Sequence, residues 1–217
     1  MQSVWYVAYG SNLGLARFLC YLAGGQPAGG MRTYPGCRDP RPPARAVGVE
    51  ADGRLVFAGT SGVWGGGMAF YDGGAPGRVA CRAYLVTADQ FADVTAQEMR
   101  RPPGGEFARD LAGLLTDVES FHVMGPGRYE TITRLGERDG APMFTVTHGD
   151  VADLDHAAPS AAYLRWIAAG LRESHGWDGD RIAAYLAAAP GAEGAWTEEE
   201  IAGLARQGAP ARPDDGG

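Results

Sequence analysis

The sequence predicts an α+β fold in which strands and helices occupy separate runs of the chain. Three strand-like segments broken by turn residues lie at 54–60, 64–71 and 79–86. A meander of antiparallel strands is the economical interpretation of these segments. A helix is predicted from residue 88, because Thr87 and Gln90 form a capping-box pattern, and it must end before Pro102.

Local signals predict further elements in the first 150 residues. These are a strand at 4–8, helices at 12–22 and 106–116, and two strands of a hairpin at 129–135 and 142–147. The helix at 12–22 carries its apolar residues at helical spacing and ends at Gly24. The hairpin turn is predicted at 136–140, which begins and ends with glycine.

Two glycine-rich stretches do not fit a regular element. Residues 24–43 form a long loop rich in Gly, Pro and Arg, for which a flap that covers a substrate and a passive surface excursion are both open. Gly65, Gly66 and Gly67 interrupt a predicted strand, and such glycines mark a bulge, a sharp bend, or another backbone or a ligand lying close by. A bend at the corner of a small barrel would account for them.

The tail of the chain predicts additional C-terminal helices. Three Ala- and Leu-rich segments each begin at a Ser, Asp or Thr start signal, at 160–173, 178–188 and 197–206. Their apolar faces need a surface to pack on, either the strand domain or a partner subunit of a homodimer. We therefore expect a barrel-like domain at 1–150, a helical extension packed on it at 151–207, and a disordered tail at 208–217.

Composition and charge exclude several classes of function. The formal net charge is −7, from 26 acidic and 19 basic residues without a basic block, so we expect neither nucleic acid nor membrane as the partner. Every one of the 19 basic residues is arginine, and the absence of lysine excludes Schiff-base catalysis and a Walker phosphate loop. The chain lacks a run of about 18 apolar residues and a basic, apolar leader, so we expect a cytoplasmic protein.

The cysteine and histidine patterns predict no metal site and no other cofactor. Cys20, Cys37 and Cys81 form no C-x-x-C pair, which fits reduced thiols in a cytosolic protein. The four histidines show no ligand spacing such as H-E-x-x-H. Ser61 lacks the G-x-S-x-G spacing of a serine-hydrolase nucleophile.

Tyr9, Gly10, Ser11, Asn12 and Leu13 lie between the first predicted strand and the first predicted helix. A glycine turn that leads into a helix aims several unpaired N–H groups the same way, with the positive end of the helix dipole behind them. Such a turn can bind a carboxylate or a phosphate without any arginine or lysine. The alternative is that Ser11 or Asn12 only caps the helix.

Glu98 is the candidate general base. It follows Phe91 and Val94 at steps of three and four, so it lies on the helix face that should turn toward the core, near the helix C-terminus. Burial and the helix dipole would both raise the pKa of its carboxyl group toward neutral pH. The alternative is an exposed glutamate that pairs with Arg100 or Arg101.

Taken together, these segments resemble the γ-glutamylcyclotransferase family, including its AIG2-like branches. Five segments carry the resemblance, Y-G-S-N-L at 9–13, V-W-G-G-G-M-A-F at 63–70, R-A-Y-L-V at 82–86, P-G-R-Y at 126–129 and G-E-R-D-G-A-P at 136–142. The third segment leads into the helix that carries Glu98. The resemblance spans about residues 4–148.

The resemblance implies a small mixed β-barrel flanked by helices and a metal-independent enzyme. The family releases a γ-glutamyl group from an amine by internal cyclisation, which gives 5-oxoproline and the free amine. Carried over by position, residues 9–13 would hold the glutamyl part of a small-molecule substrate, Glu98 would be the base, and Tyr129 would line or polarise the site. The chain departs from the family at 95–99, where T-A-Q-E-M replaces the usual D-E-x-E-G, and in its additional tail helices.

The sequence leaves three hypotheses about function open. In the first, the α-amine of a γ-glutamyl substrate attacks its own γ-carbonyl, and Glu98 moves the proton to the leaving amine. In the second, the chain cleaves a γ-acyl amide of a specialised metabolite, which the loop at 24–43 and the tail helices motivate. In the third, it is a binding module for γ-glutamyl or other carboxylate ligands that has lost catalysis.

Overall fold

The computed structural model describes residues 2–115 and 117–210. The strands in them are β1 (Ser3–Ala8), β2 (Arg45–Asp52), β3 (Arg54–Ala58), β4 (Met68–Asp72), β5 (Arg78–Thr87), β6 (Phe121–Val123), β7 (Thr131–Arg138) and β8 (Ala141–Thr147). The helices are α1 (Leu15–Ala23), α2 (Ala88–Glu98), α3 (Glu106–Leu114), α4 (Ala161–His175), α5 (Gly179–Ala187) and α6 (Glu198–Gln207). The predicted disorder at 208–217 lies outside the described residues from position 211 onward, and so does residue 116 of a predicted helix.

The described strands form a mixed sheet and a separate hairpin. The sheet has the order β2-β5-β1-β8-β7-β6, in which β1 and β8 run parallel and the other neighbours run antiparallel. The hairpin of β3 and β4 joins the end of β8 through a side chain, because the Thr147 hydroxyl accepts from the Tyr71 N–H (3.1 Å) and donates to the Tyr71 carbonyl (2.8 Å). The barrel is therefore not strictly closed, and the predicted α+β class with a small mixed barrel is confirmed.

The predicted meander is wrong at its third strand. β3 and β4 are antiparallel neighbours, but β5 pairs with β1 and β2 and not with β4. Two observed strands, β2 and β6, have no counterpart among the predicted ones. β2 lies at the edge of the sheet, and its burial alternates along the strand, because Val47, Val49 and Ala51 face the core between exposed neighbours. This is the alternation of a half-buried strand, which was missed in the sequence.

The glycines at 65–67 lie in a loop, because β4 begins only at Met68. Gly65 and Gly66 have φ angles of +70° and +64°, a conformation that favours glycine. The Gly67 N–H donates to the Ala158 carbonyl (2.7 Å), and a Cβ at Gly67 would overlap the neighbouring backbone at Ala157. Of the causes considered from the sequence, a backbone lying close by is therefore the one that applies.

β1 is buried on both faces, and its alternate residues belong to two hydrophobic clusters. Trp5 and Val7 pack in one cluster with residues of the three C-terminal helices, such as Ile167. Val4 and Tyr6 pack in the other cluster with residues of α1, α2 and α3. The domain boundary at residue 150 stays a prediction, but the hydrophobic core runs across it.

Four of the helices begin at the predicted start signals. Thr87 and Gln90 form the expected capping box at α2, and Thr197 begins a second capping box at α6. The side chains of Ser160 and Asp178 accept hydrogen bonds from the first turns of α4 and α5. No helix in the described part of the chain is long and apolar enough to cross a lipid bilayer.

Candidate active site

A cavity of about 360 Å³ lies at the end of β1. Segments distant in sequence line it, among them the turn after β1, the end of α2, the start of α4 and the residues before β7. It holds most of the predicted site residues, which are Tyr9, Gly10, Ser11, Asn12, Glu98 and Tyr129. The tertiary structure thus brings the glycine turn and the candidate base to one place.

The topology explains how Glu98 reaches the turn after β1. β5 runs antiparallel to β1 with Thr87 opposite Ser3, so α2 starts beside the beginning of β1. The 11 residues of α2 span roughly 16 Å, and the 6 residues of β1 span roughly 20 Å. α2 therefore ends near the end of β1, where Asn12 Nδ2 donates to Glu98 Oε1 (3.3 Å).

The turn after β1 differs from the predicted one. Ser11–Leu13 form a short 3-10 turn, and α1 begins only at Leu15, after Gly14 in an extended conformation. The α-helix N-terminus is therefore separated from the motif by one residue. Neither the 3-10 turn nor α1 has a side-chain cap, so the alternative in which Ser11 or Asn12 caps the helix is wrong.

Gly10 is required by close packing at the cavity wall. A Cβ there would lie 2.9 Å from the Tyr163 hydroxyl oxygen and 3.3 Å from the Ala69 Cβ. Tyr163 lies near the start of α4, and its hydroxyl accepts from the Ala69 N–H (3.3 Å). α4, a helix of the predicted extension, therefore forms one wall of the cavity through Tyr163. No residue of α4 was assigned this role from the sequence.

Asn12 links Glu98 to Tyr6. The side-chain nitrogen of Asn12 donates to both the Tyr6 hydroxyl (3.0 Å) and the Glu98 carboxylate (3.3 Å), and the residue is 7% exposed. Burial, assisted by the charge of Glu98, raises the pKa of Tyr6 well above its usual value, so its phenol stays neutral. One wall of the cavity therefore carries a carboxylate, an amide and a neutral phenol in contact.

Two tyrosines of the predicted site use their hydroxyls to hold the fold. The Tyr9 hydroxyl donates to the Val146 carbonyl (2.7 Å), and the Tyr129 hydroxyl donates to the Ala69 carbonyl (3.0 Å). Burial raises the pKa of both tyrosines well above the usual value. Tyr129 therefore lines the cavity as expected. To polarise a substrate, its hydroxyl would have to donate a hydrogen bond to it, but that hydroxyl already donates to the Ala69 carbonyl.

Leu13 is the motif residue that the structure does not place at the cavity. Its side chain is fully buried in the core, beside Gly170 of α4. Its carbonyl oxygen accepts from Arg82 Nη1 (3.0 Å) and from the Tyr84 hydroxyl (3.1 Å). The assignment of Leu13 to substrate binding is thus corrected, because this residue anchors the turn to the rest of the fold.

Among the charged residues that line the cavity, two are buried and were not singled out from the sequence. Glu130 is 7% exposed, and its carboxylate pairs with Arg101 Nη2 (2.6 Å). Arg101 therefore pairs with this carboxylate, and no ion pair in the described part of the chain includes Glu98. The other is Arg17, which is 2% exposed. Its signal in the sequence is that α1 is otherwise apolar, with Arg17 as its charged residue.

The loop at 24–43 lines the cavity with Arg32 and Tyr34, so it is more than a passive surface excursion. Its backbone is held at several points. The Ala28 carbonyl accepts from the Trp166 indole nitrogen (3.0 Å), and the Gly36 N–H donates to the Gln97 side chain (3.3 Å). Among the described residues, no group of three or more His, Cys, Asp or Glu side chains is placed to hold a metal ion.

Two solved structures have a similar fold. A structure described as a gamma-glutamyl cyclotransferase aligns with a TM-score of 0.52 and 17% identity, over 95% of this chain and 100% of the other. An uncharacterised protein from Homo sapiens aligns with a TM-score of 0.50 and 19% identity, over 95% of this chain and 99% of the other. At these identities the similarity is one of fold.

By sequence, the chain is similar to histone deacetylase 5 of Arabidopsis thaliana, with 31% identity over 198 residues. The alignment covers 84% of this chain, which spans about 30% of the length of that relative. No protein-family model matches the chain. The strand order, the flanking helices and the structural similarities together show that the chain has the γ-glutamylcyclotransferase-like fold.

Proposed function

We propose that this chain is a γ-glutamylcyclotransferase-like enzyme that cleaves a γ-glutamyl, or related γ-acyl, amide. The observation that carries the proposal is the 3.3 Å hydrogen bond between the Asn12 amide and the Glu98 carboxylate at the wall of the cavity. The volume of the cavity, about 360 Å³, is that of a small-molecule site. The fold similarity to a gamma-glutamyl cyclotransferase supports the same class of reaction.

In the proposed reaction, the α-amine of the substrate attacks its own γ-carbonyl carbon. A new C–N bond closes a five-membered lactam, and the amide C–N bond to the leaving amine breaks. Glu98 accepts the proton from the attacking nitrogen and returns it to the leaving nitrogen, so no net proton is consumed. Holding the substrate in its bent conformation contributes much of the rate, since well-oriented internal reactions gain roughly 7–11 kcal/mol.

The charge that develops on the γ-carbonyl oxygen needs a hydrogen-bond donor. Tyr129 does not offer one, because its hydroxyl donates to the Ala69 carbonyl. The Tyr6 hydroxyl accepts from Asn12, and no described residue accepts a hydrogen bond from the Tyr6 proton. Tyr6 is therefore the better candidate for this role.

A specialised γ-acylated metabolite is the second candidate substrate. It is favoured by the residues that the long loop and α4 add to the cavity, which are Arg32, Tyr34 and Tyr163. A panel of γ-glutamyl and other γ-acyl amides that differ in the leaving amine separates the two candidates by the release of 5-oxoproline. The alignment with the deacetylase covers 30% of the length of that protein, and it supports no activity for this chain.

Glu98→Gln tests the proposal. The amide keeps the shape of the side chain and an oxygen that can accept from Asn12, but it cannot act as a base. We expect kcat to fall by about 10²- to 10⁴-fold while the urea midpoint of unfolding stays near that of the wild type.

Glu173→Gln is the matched control, because Glu173 lies on α4 away from the cavity and pairs with Arg82 (2.8 Å). We expect this control to turn over substrate near the wild-type rate. Wild-type turnover by Glu98→Gln would refute the role of Glu98 as base. No turnover of any amide in the panel, with tight binding of a γ-glutamyl ligand, would favour a non-catalytic binding module.

A further inference from the structure

Arg17 is a buried cation that uses only part of its hydrogen-bonding capacity. It lies on α1, lines the cavity and is 2% exposed. Its Nη2 donates to the Tyr34 hydroxyl (2.8 Å), whereas Nε and Nη1 are buried without any partner among the described residues. No ion pair in that part of the chain includes Arg17.

Aromatic rings hold the Arg17 guanidinium in place. Its Cζ lies 4.5 Å from the ring centroids of both Tyr21 and Tyr34, and 5.8 Å from that of Trp64. These ring faces attract the cation through their π electrons. Burial alone would lower the pKa of Arg17, but Tyr21, Tyr34 and Glu98 together raise it above its usual value, so the group stays charged.

A buried guanidinium with two unpaired nitrogens is costly unless an anion joins it. The planar guanidinium matches a carboxylate, which would provide the missing acceptors. Arg17 therefore marks an anion site in the cavity wall. This site is built on an arginine side chain, whereas the sequence predicted one built from the N–H groups of the turn, with the Ser11 and Asn12 side chains as further hydrogen-bond partners.

Glu98 lines the same cavity with the opposite charge. It forms no ion pair with Arg17, although its charge is close enough to help raise the pKa of that arginine. A cation and an anion held apart on one cavity match the carboxylate and the ammonium of a zwitterionic amino-acid group. The glutamyl moiety carries such a zwitterion at its α-carbon.

We propose that Arg17 binds the α-carboxylate of the substrate's glutamyl moiety and thereby sets the α-amine against Glu98. The inference rests on the proposed function for the identity of the substrate. Arg17 binds and orients, while Glu98 moves the proton. Substrates that lack the α-carboxylate should therefore be poor, whatever their leaving amine.

The test compares two γ-glutamyl anilides that differ only at the α-carbon, one with a carboxylate and one with a carboxamide. We expect wild-type kcat/KM to be about 10- to 100-fold higher for the carboxylate, the range of a charge-assisted hydrogen-bonded pair. Arg17→Gln should lower kcat/KM for the carboxylate by that factor and should change the value for the carboxamide by less than about threefold. Equal losses on both anilides, or an unchanged preference, would overturn the proposal.

A binding measurement keeps this test separate from the proposed reaction. Calorimetry with 5-oxoproline and 5-oxoprolinamide should show that the wild type prefers the acid and that Arg17→Gln loses this preference. If no amide is turned over but the preference depends on Arg17, the reaction fails and the anion site stands. If amides are turned over, and Arg17→Gln still prefers the carboxylate anilide as substrate and 5-oxoproline as ligand, the anion site fails and the reaction stands.

Arg82→Gln is the matched control for burial of an arginine. Arg82 is 8% exposed and has an unpartnered Nε, but it lies outside the cavity and pairs with Glu173. This variant should keep the wild-type ratio of kcat/KM for the two anilides. If Arg17→Gln fails to fold, as judged by circular dichroism, the wild-type ratio decides, and a ratio near one overturns the proposal.

Discussion

Gly170 of α4 packs directly against the turn that lines the cavity, and Gly170→Ala tests this contact. A Cβ there would lie 2.6 Å from the Gly14 nitrogen and 2.6 Å from the Leu13 carbonyl carbon. Both are backbone atoms, so neither can give way by rotating a side chain. The substitution should therefore displace either α4 or the turn.

Two opposing contributions set the size of the effect. Alanine stabilises a helix interior by about 1 kcal/mol relative to glycine. Overpacking a core typically costs about 1–3 kcal/mol. Gly203 of α6 isolates the first contribution, since a Cβ there would meet only Arg206 Nη2, at 3.8 Å. The free energy of unfolding should thus be about 1–3 kcal/mol lower for Gly170→Ala than for Gly203→Ala, or about 2–12 °C in Tm.

Urea unfolding followed by tryptophan fluorescence measures this difference, and the slope against urea checks that both variants unfold alike. A displaced α4 also moves Tyr163, which touches Gly10, so KM for a γ-glutamyl amide should rise in Gly170→Ala. If Gly170→Ala proves as stable as Gly203→Ala, the packing of α4 on the turn is not as tight as described, and the reasoning is refuted.

Three other predictions concern stability. Thr87→Ala removes the cap that accepts from the Gln90 N–H (3.1 Å) and should lower the free energy of unfolding in urea by about 1 kcal/mol. Arg101→Met leaves the buried Glu130 carboxylate unpaired, and because the Arg101 side chain is 41% exposed we expect a loss of about 1–2 kcal/mol. Burial raises the pKa of Cys37 and Cys81 to about 12. Between about pH 8.5 and 12, both thiols are therefore protonated in the folded chain and ionised in the unfolded chain. Their contribution to stability is complete below about pH 8.5, and the free energy of unfolding should fall as the pH rises from about 8.5 to 12.

Each of these predictions has a control. Thr197→Ala removes the same kind of cap from α6 and should cost a similar amount, so a loss in only one of the two variants contradicts the capping argument. Arg78→Met breaks pairs that are exposed on the surface and should cost less than about 0.5 kcal/mol; a loss equal to that of Arg101→Met contradicts the argument from burial. A free energy of unfolding that stays constant from about pH 8.5 to 12 contradicts the assignment of raised thiol pKa values.

Elements whose signals are local could be predicted from the sequence. Thr87 and Gln90 lie three positions apart, so their capping box forms as soon as the first turn of α2 forms. The same holds for Ser160, Asp178 and Thr197 at the tail helices. The starts of these four helices, and the position of Glu98 at the end of α2, were therefore readable before any tertiary contact was known.

The register of distant segments was not readable in this way. The glycines at 65–67 look like part of a strand until the backbone at 157–159 is known to lie against them. Leu13 belongs to the core because α4 packs on it. β5 pairs with β1, a strand about 75 residues earlier in the chain, and not with its neighbour β4. Contacts of this kind depend on how the whole chain closes, which no short window of sequence contains.

The candidate site divides in the same manner. The sequence by itself determined which residues form the Y-G-S-N-L turn and that Glu98 lies at the end of α2. Only the tertiary structure decided that Arg17 is buried without a carboxylate partner and lines the same cavity as Glu98. The physical reason is that a charge acquires its role from what surrounds it, and the surroundings of Arg17 come from α1, the loop at 24–43 and Trp64.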